Sequence, residues 1–318
     1  MTRVAVMGEC MIELSHLDES TLALGYAGDA YNVAVGLARW GSDVAFVTRL
    51  GDDHHSAAML GAWRAEGIDT SLADRLPGYA PGLYMIRTDE AGERSFTYWR
   101  SASPARELLA DDAHAEHVRA GLAGVGWLVL TGISLSLLSA DAHDRLLALL
   151  DQIVAAGTRV AFDTNYRPTG WPGAETARAR MDDVLARTAI ALPTLDDERA
   201  LHDDAGWEGT IARLAALGVP EAVVKLGADG AAVFADGDVE LVPAQSDVAV
   251  VDSTGAGDAF DAGYLHARFA GLGPAEAAHE GARLAAAVLG HRGAIMPAQA
   301  MPDPPGTQLV ADGGATAA

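Results

Sequence analysis

The chain has 318 residues, half of them hydrophobic, which is enough for one large α/β domain or two smaller ones with a substantial core. Its 44 acidic against 22 basic residues give a formal charge of −22, a balance that repels phosphate backbones and anionic bilayers, so neither nucleic acid nor membrane is an expected partner. Cys10 is the only cysteine, the opening residues lack the long apolar run of a secretion signal, and a reducing cytoplasm is the expected compartment.

Short apolar runs alternate with longer amphipathic ones. Val4 to Met7 precedes Ala30 to Trp40, and Val44 to Val47 precedes Ser56 to Glu66. Gly82 to Thr88 and Arg94 to Arg100 then form two extended runs joined by Asp89-Glu90-Ala91-Gly92, a hairpin signal that predicts a small lid at about 80–101. The rhythm resumes with Trp127 to Leu130 before Ala140 to Ala155, then Arg159 to Phe162, Ala189 to Leu192 and Ala222 to Lys225. Strand and helix in alternation predict a parallel sheet covered by helices, with ligands at the strand ends. From Pro302 the chain is rich in breakers, which predicts a folded domain over 1–301 and a flexible tail over 302–318.

The segment richest in chemistry is Val251-Asp252-Ser253-Thr254-Gly255-Ala256-Gly257-Asp258-Ala259-Phe260, which leads into a helical pattern. Glycines at a helix N-terminus expose unpaired N–H groups and the positive end of the dipole, a place for a phosphate. Asp258 falls in the first turn, where its carboxylate faces the same space and can take a proton from an attacking alcohol; it would equally serve as a helix stabiliser.

This segment resembles the C-terminal signature of the ribokinase-like, or PfkB, family of carbohydrate kinases, D-T-x-G-A-G-D-x-F, with Ser253 in place of its threonine. The resemblance implies a three-layer α/β sandwich with a mostly parallel central sheet and a small β lid. It makes Asp258 the general base and Gly255, Ala256 and Gly257 the backbone that holds the transferring phosphate. The N-terminal signature is similar to Gly25-Tyr26-Ala27-Gly28-Asp29-Ala30-Tyr31-Asn32, in which Gly28 and Asp29 would contact sugar hydroxyls. A loop capped by Asp29 before a helix would explain the same residues.

Within the family, Gly8 to Leu14, Pro81 to Tyr84, Gly92 to Arg100, Thr131 to Ser134, Phe162 to Pro168, Leu195 to Glu198 and Arg292 to Ile295 are similar to the branch that phosphorylates 2-keto-3-deoxygluconate. A sugar acid carries a carboxylate, and arginine suits its bidentate recognition, so Arg100 and Arg167 are the candidates. By resemblance Tyr84 and Tyr98 reach substrate from the lid, and strand alternation lets both face one side. Ordinary lid packing would account for the tyrosines, and an ion pair with Asp163 for Arg167.

The resemblance also places nucleotide contacts on Asn165, Lys225 and Gly227, although Lys225 reads equally as a solvated lysine at a strand end. The family's metal-organising N-x-x-E pattern is altered to Thr194-Leu195-Asp196-Asp197, which leaves Asp197 as the candidate carboxylate for Mg²⁺. Asp252 beside the anion hole is where a monovalent cation would be felt. The expected activity is ATP-dependent phosphorylation of 2-keto-3-deoxygluconate at its C6 hydroxyl by a homo-oligomer. The alternatives are a kinase of a neutral sugar such as fructose, and a non-catalytic sugar-acid sensor.

Overall fold

The computed structural model describes residues 2–88 and 94–306. The chain opens with β1 (Arg3–Met7), β2 (Met11–His16) and β3 (Leu22–Ala27), followed by α1 (Asp29–Arg39), β4 (Asp43–Gly51), α2 (His54–Ala65) and β5 (Ala73–Leu76). It continues through the paired strands β6 (Leu83–Thr88) and β7 (Arg94–Trp99), then α3 (Asp112–Gly121), β8 (Trp127–Thr131), α4 (Gly132–Leu137), α5 (Ala140–Ala155) and β9 (Arg159–Asp163). The last third holds α6 (Ala174–Leu185), β10 (Ile190–Ala191), α7 (Leu195–His202), α8 (Trp207–Ala216), β11 (Glu221–Lys225), β12 (Ala231–Ala235) and β13 (Asp238–Val242). Helices α9 (Ala256–Phe269) and α10 (Pro274–Leu289) complete it.

Among the described residues, one sheet has the order β13-β12-β11-β10-β9-β8-β1-β4-β5. It is parallel from β11 to β5, while β12 and β13 form an antiparallel edge. Its strands are apolar on both faces because helices cover both. In β1 the alternation is direct: Val4 and Val6 join a core with α1, α2, α9 and α10, whereas Ala5 and Met7 join a second core with α3 to α8. Helix ends follow local chemistry: the Asp53 carboxylate accepts from the His55 and Ser56 N–H groups at the start of α2, and Pro274 opens α10 with Glu276 reaching back to Gly273 N.

The lid is larger than the sequence pattern indicated. β6 and β7 pair as expected, but they belong to a four-stranded sheet of order β3-β2-β6-β7, with β2 and β6 parallel. The Asp89-Glu90-Ala91-Gly92 turn lies outside the described residues. At the other end, Trp40 Nε1 donates to the Pro302 carbonyl at 2.8 Å and Arg283 Nη2 to that of Asp303 at 2.7 Å. The chain is thus bonded to the body that far, and residues 307–318 of the expected tail lie outside those described.

Candidate active site

The parallel strands end on one side of the sheet, and four of their continuations meet there: Glu9 after β1, Asp163 at the end of β9, Thr194 after β10, and Lys225 at the end of β11. Together with the N-terminus of α9 and the inner face of the lid they enclose a cavity of about 500 Å³. A second cavity of about 540 Å³ adjoins it, sharing Thr194 and Lys225, and is walled by Trp207, Leu226, Leu241, Val242 and Pro243. A polar chamber thus abuts a more apolar one.

Two glycines make the first cavity possible. Gly255 caps α9 in the left-handed region at φ 74°, and a side chain there would lie 2.6 Å from the Ala294 carbonyl. The sharp turn brings Ser253, Thr254, Gly255, Gly257 and Asp258 into the cavity lining at the N-terminus of α9, while the Ala256 N–H donates to the Ser253 carbonyl at 3.3 Å. Its base is pinned by buried Asp252, which accepts from Thr254 N at 2.8 Å and from Gly293 N at 2.5 Å. Gly28, just before α1, is the other: an added Cβ would stand 2.5 Å from the Glu9 carbonyl, so only glycine lets these two segments touch.

Asp258, in the first turn of α9, points into this space and accepts from Asn32 Nδ2 at 2.8 Å. Burial, then the neighbouring Asp29 and Asp163, push its carboxyl up to about 7, against the pull of Asn32 and Lys225. Some of its surface remains open to the cavity. Asp29 is also raised, chiefly by burial, with the Thr131 hydroxyl and the Ala30 N–H opposing. A carboxyl whose pKa is raised toward neutrality, beside a glycine turn at a helix N-terminus, is equipped to act as a base.

The lid supplies an aromatic wall. Tyr84 and Tyr98 are register partners across β6 and β7 with rings 5.8 Å apart, and Phe96 stacks on Tyr98. All three line the cavity. The Tyr84 hydroxyl donates to Glu13 of β2, which fixes its ring, whereas Tyr98 stays half exposed.

Both arginines named from sequence line the same cavity. Arg100 Nη2 lies 2.6 Å from Oε2 of Glu9, a carboxyl only 2 % exposed and raised mainly by burial. Arg167 pairs with Asp197, not with Asp163: Nη1 donates to both Asp197 oxygens at 2.8 and 2.9 Å and to the Tyr166 carbonyl at 2.7 Å. Asp163 is instead drawn to the more deeply buried Lys225. Asp197, the expected metal carboxylate, is therefore turned toward a guanidinium.

Lys225 is not a solvated strand-end lysine. It is 6 % exposed, and its ammonium contacts Asp163 at 3.1 Å and both oxygens of Asp261 at 2.8 and 3.0 Å. Burial alone would lower its pKa, but the two carboxylates outweigh it and hold the amine charged. Lys225 borders both cavities, Gly227 borders the second, and Asn165 borders the first. Asn165 thus lies with Asp29, to which its Nδ2 donates at 3.4 Å, on the side of the arginines. Ala256 sits within the α9 turn between two lining glycines.

Sequence reasoning missed Asn32, Glu9, Asp163 and Asp261. Asn32 had a local signal, one turn of helix beyond Asp29 inside the Gly28 motif; an acidic Glu9 two residues after an apolar strand was another. Asp163 and Asp261 become recognisable only once Lys225 is placed.

Comparison with known proteins bears on the family and the fold. Residues 1–301 match the pfkB family carbohydrate kinase profile. A 2-dehydro-3-deoxygluconokinase of Escherichia coli K12 is 42 % identical over 308 residues, covering 94 % of this chain and 99 % of that one. A fructokinase of Klebsiella pneumoniae is 32 % identical over 267 residues, 83 % of each chain. Among solved structures, a PfkB protein from Polaromonas sp. JS666 superposes with a TM-score of 0.81 at 30 % identity, covering 94 % of this chain and 99 % of that one.

Proposed function

The chain belongs to the pfkB family of carbohydrate kinases, and from that premise we propose that it transfers the γ-phosphoryl group of ATP to the C6 hydroxyl of 2-keto-3-deoxy-D-gluconate. The products are 2-keto-3-deoxy-6-phosphogluconate and ADP. The observation that carries this reading is one cavity lined by a glycine turn at a helix N-terminus, a carboxyl poised near neutrality, and two guanidinium groups.

In this reading Asp258 takes the proton of the C6 hydroxyl while the hydroxyl oxygen bonds to the γ-phosphorus and the bridging P–O bond to ADP breaks. The N–H groups of the Gly255-Ala256-Gly257 turn and the α9 dipole hold the charge on the transferring group. Arg100 and Arg167 engage the acceptor's carboxylate, Gly28 and Asp29 its hydroxyls, and Tyr84 and Tyr98 close over it. The nucleotide occupies the second cavity, against Gly227 and the apolar wall, with its phosphates toward Lys225.

Mg²⁺ supplies neutralisation of phosphate charge. Among the described residues no group of three or more His, Cys, Asp or Glu forms a dedicated cage, which fits an ion held mainly by the phosphates and one or two protein carboxylates. Asp197, released from Arg167 by an acceptor carboxylate, would be one of them. A monovalent cation bound at the Asp252 loop would act on the glycine turn through the Thr254 and Gly293 contacts.

A neutral-sugar kinase is the second reading, since the phosphate machinery is common to both and a fructokinase is among the relatives. The two arginines favour the sugar acid, and a retained base and glycine turn disfavour a mere sensor. Among the described residues no helix is long and apolar enough to cross a membrane. We place the enzyme in the cytoplasm, as a homo-oligomer formed on the lid sheet where Leu24 and Trp99 are 56 % and 55 % exposed. Turnover with acceptors that have and lack the carboxylate tests the substrate reading.

A further inference from the structure

Lys225 is the only lysine among the 22 basic side chains of this sequence; the other 21 are arginines. A chain that otherwise meets every need for positive charge with a guanidinium keeps one compact ammonium, and keeps it buried at the junction of the two cavities. All three of its short contacts are to carboxylate oxygens, two of Asp261 and one of Asp163. It is therefore a fixed point charge and not a mobile arm. A Cβ built on Gly257 would lie 3.8 Å from its nitrogen, so the charge sits directly against the glycine turn.

Asp261 is the unusual partner. It lies one turn after Asp258 on α9, 1 % exposed, amid Ala259, Phe260, Ala262, Gly263 and Tyr264, where a carboxylate is costly to bury. Asp163 has a second task, accepting from Asn165 N at 3.1 Å, whereas Asp261 bonds Lys225 with both oxygens and meets Asp163 carboxyl to carboxyl, and burial followed by that neighbouring carboxylate raises its pKa against the pull of Lys225. Exchanging a buried ion pair for apolar groups is often neutral or stabilising, so stability alone does not account for it.

We propose that Asp261 is a positioning residue for phosphoryl transfer, acting through Lys225: it anchors the ammonium beneath the Gly255–Gly257 turn, where it counters the negative charge of Asp258 and of the transferring phosphate. Two carboxylates touch the ammonium, Asp163 from the end of β9 and Asp261 from α9, and two more feel its charge, Asp258 from α9 and Asp197 from α7. Without Asp261, which shares α9 with the glycine turn, the amine would keep Asp163 as its close carboxylate partner and lose its tie to the turn. The inference rests on the reading of Asp258 and the turn as the transfer centre.

The test is steady-state ADP release and its pH profile for Asp261→Asn, Asp261→Glu, Lys225→Met and the Lys225→Met/Asp261→Asn pair. Circular dichroism confirms folding, and Asp258→Asn is the control for the underlying reading. Asp261→Asn should lower kcat by about 10- to 100-fold with the acceptor KM changed less than about threefold, and Asp261→Glu should recover part of the loss. Direction of the pH shift separates the explanations: loss of the negative charge that Asp261 shares with Asp163 would by itself move the acid limb of kcat/KM down or leave it in place, whereas displacement of the ammonium moves it up. The second substitution should add nothing to Lys225→Met, because the two act as one unit. Should Asp261→Asn misfold, the Glu variant and the double variant make the same comparison. A folded Asp261→Asn with wild-type kcat, or an acid limb moved down, overturns the inference. So does a loss of equal size in the Lys225→Met background. An active Asp258→Asn would instead sink the reading beneath it.

Discussion

Asn32, in the first turns of α1, donates from Nδ2 to Oδ2 of Asp258 at 2.8 Å, joining the two sequence signatures across 226 positions. The bond is to the ionised form of the proposed base and so favours that form against burial and two neighbouring carboxylates. Replacing Asn32 with leucine should raise the Asp258 pKa beyond its value of about 7. The acid limb of kcat/KM should then move up by about one pH unit, with little change in the ATP KM. A pH series on the variant reads this directly, and an unmoved limb would remove Asn32 from the base's environment.

Asp258→Asn should lose about 10²–10⁴ in turnover while still binding ATP. It should also melt at a higher temperature than the parent at pH 8. The sign follows from linkage: a carboxyl whose folded pKa is raised to about 7 is ionised in the unfolded chain from about pH 4 upward, so the fold loses stability as pH rises through that window. Asparagine does not titrate, and the difference in melting temperature should therefore vanish near pH 4. Calorimetric scans at the two pH values check it.

The two arginines should separate by their partners. Arg100→Ala leaves buried Glu9 without its counter-charge, so both a raised KM for the sugar acid and a stability loss on the order of 3 kcal/mol are expected. Arg167, 54 % exposed in its pair with Asp197, should tolerate Arg167→Lys with an unchanged melting temperature but a KM raised about tenfold for the carboxylate-bearing acceptor. Equal effects from both would contradict the contrast in burial.

Gly255→Ala forces a side chain into φ 74° and toward the Ala294 carbonyl 2.6 Å away. Strain of about 1–2 kcal/mol plus the clash should distort the turn, abolishing turnover and lowering the melting temperature by several degrees. Ala256→Gly, which keeps the backbone path, should retain most activity. Kinetics and melts of the two variants side by side decide it.

The parallel layers were legible in sequence because their signals are local: runs such as Trp127–Thr131 are apolar and bounded by breakers, and Asp258 with its glycines is contiguous. Half of the lid was not legible. Met11–His16 pairs in parallel with Leu83–Thr88, and the bond from Tyr84 to Glu13 spans 71 positions, so nothing in either segment announces the other. Lys225 was ambiguous for the same reason, since a strand-end lysine is solvated unless another element covers it, and here α9 supplies Asp261 from 36 positions away. Arg167 lines the cavity, but which acid would hold it depended on how deep Asp163 and Asp197 lie, a matter of packing.

The most direct test of the central claim is a coupled ADP-release assay with Mg-ATP. It compares 2-keto-3-deoxygluconate, its galacto epimer, fructose and ribose at equal concentration. The structure predicts turnover with the sugar acids well above that with either neutral sugar, lost in Asp258→Asn. Equal or greater turnover with fructose or ribose would contradict the assignment of the arginines and with it the proposed substrate, and no turnover with any acceptor would contradict the kinase itself.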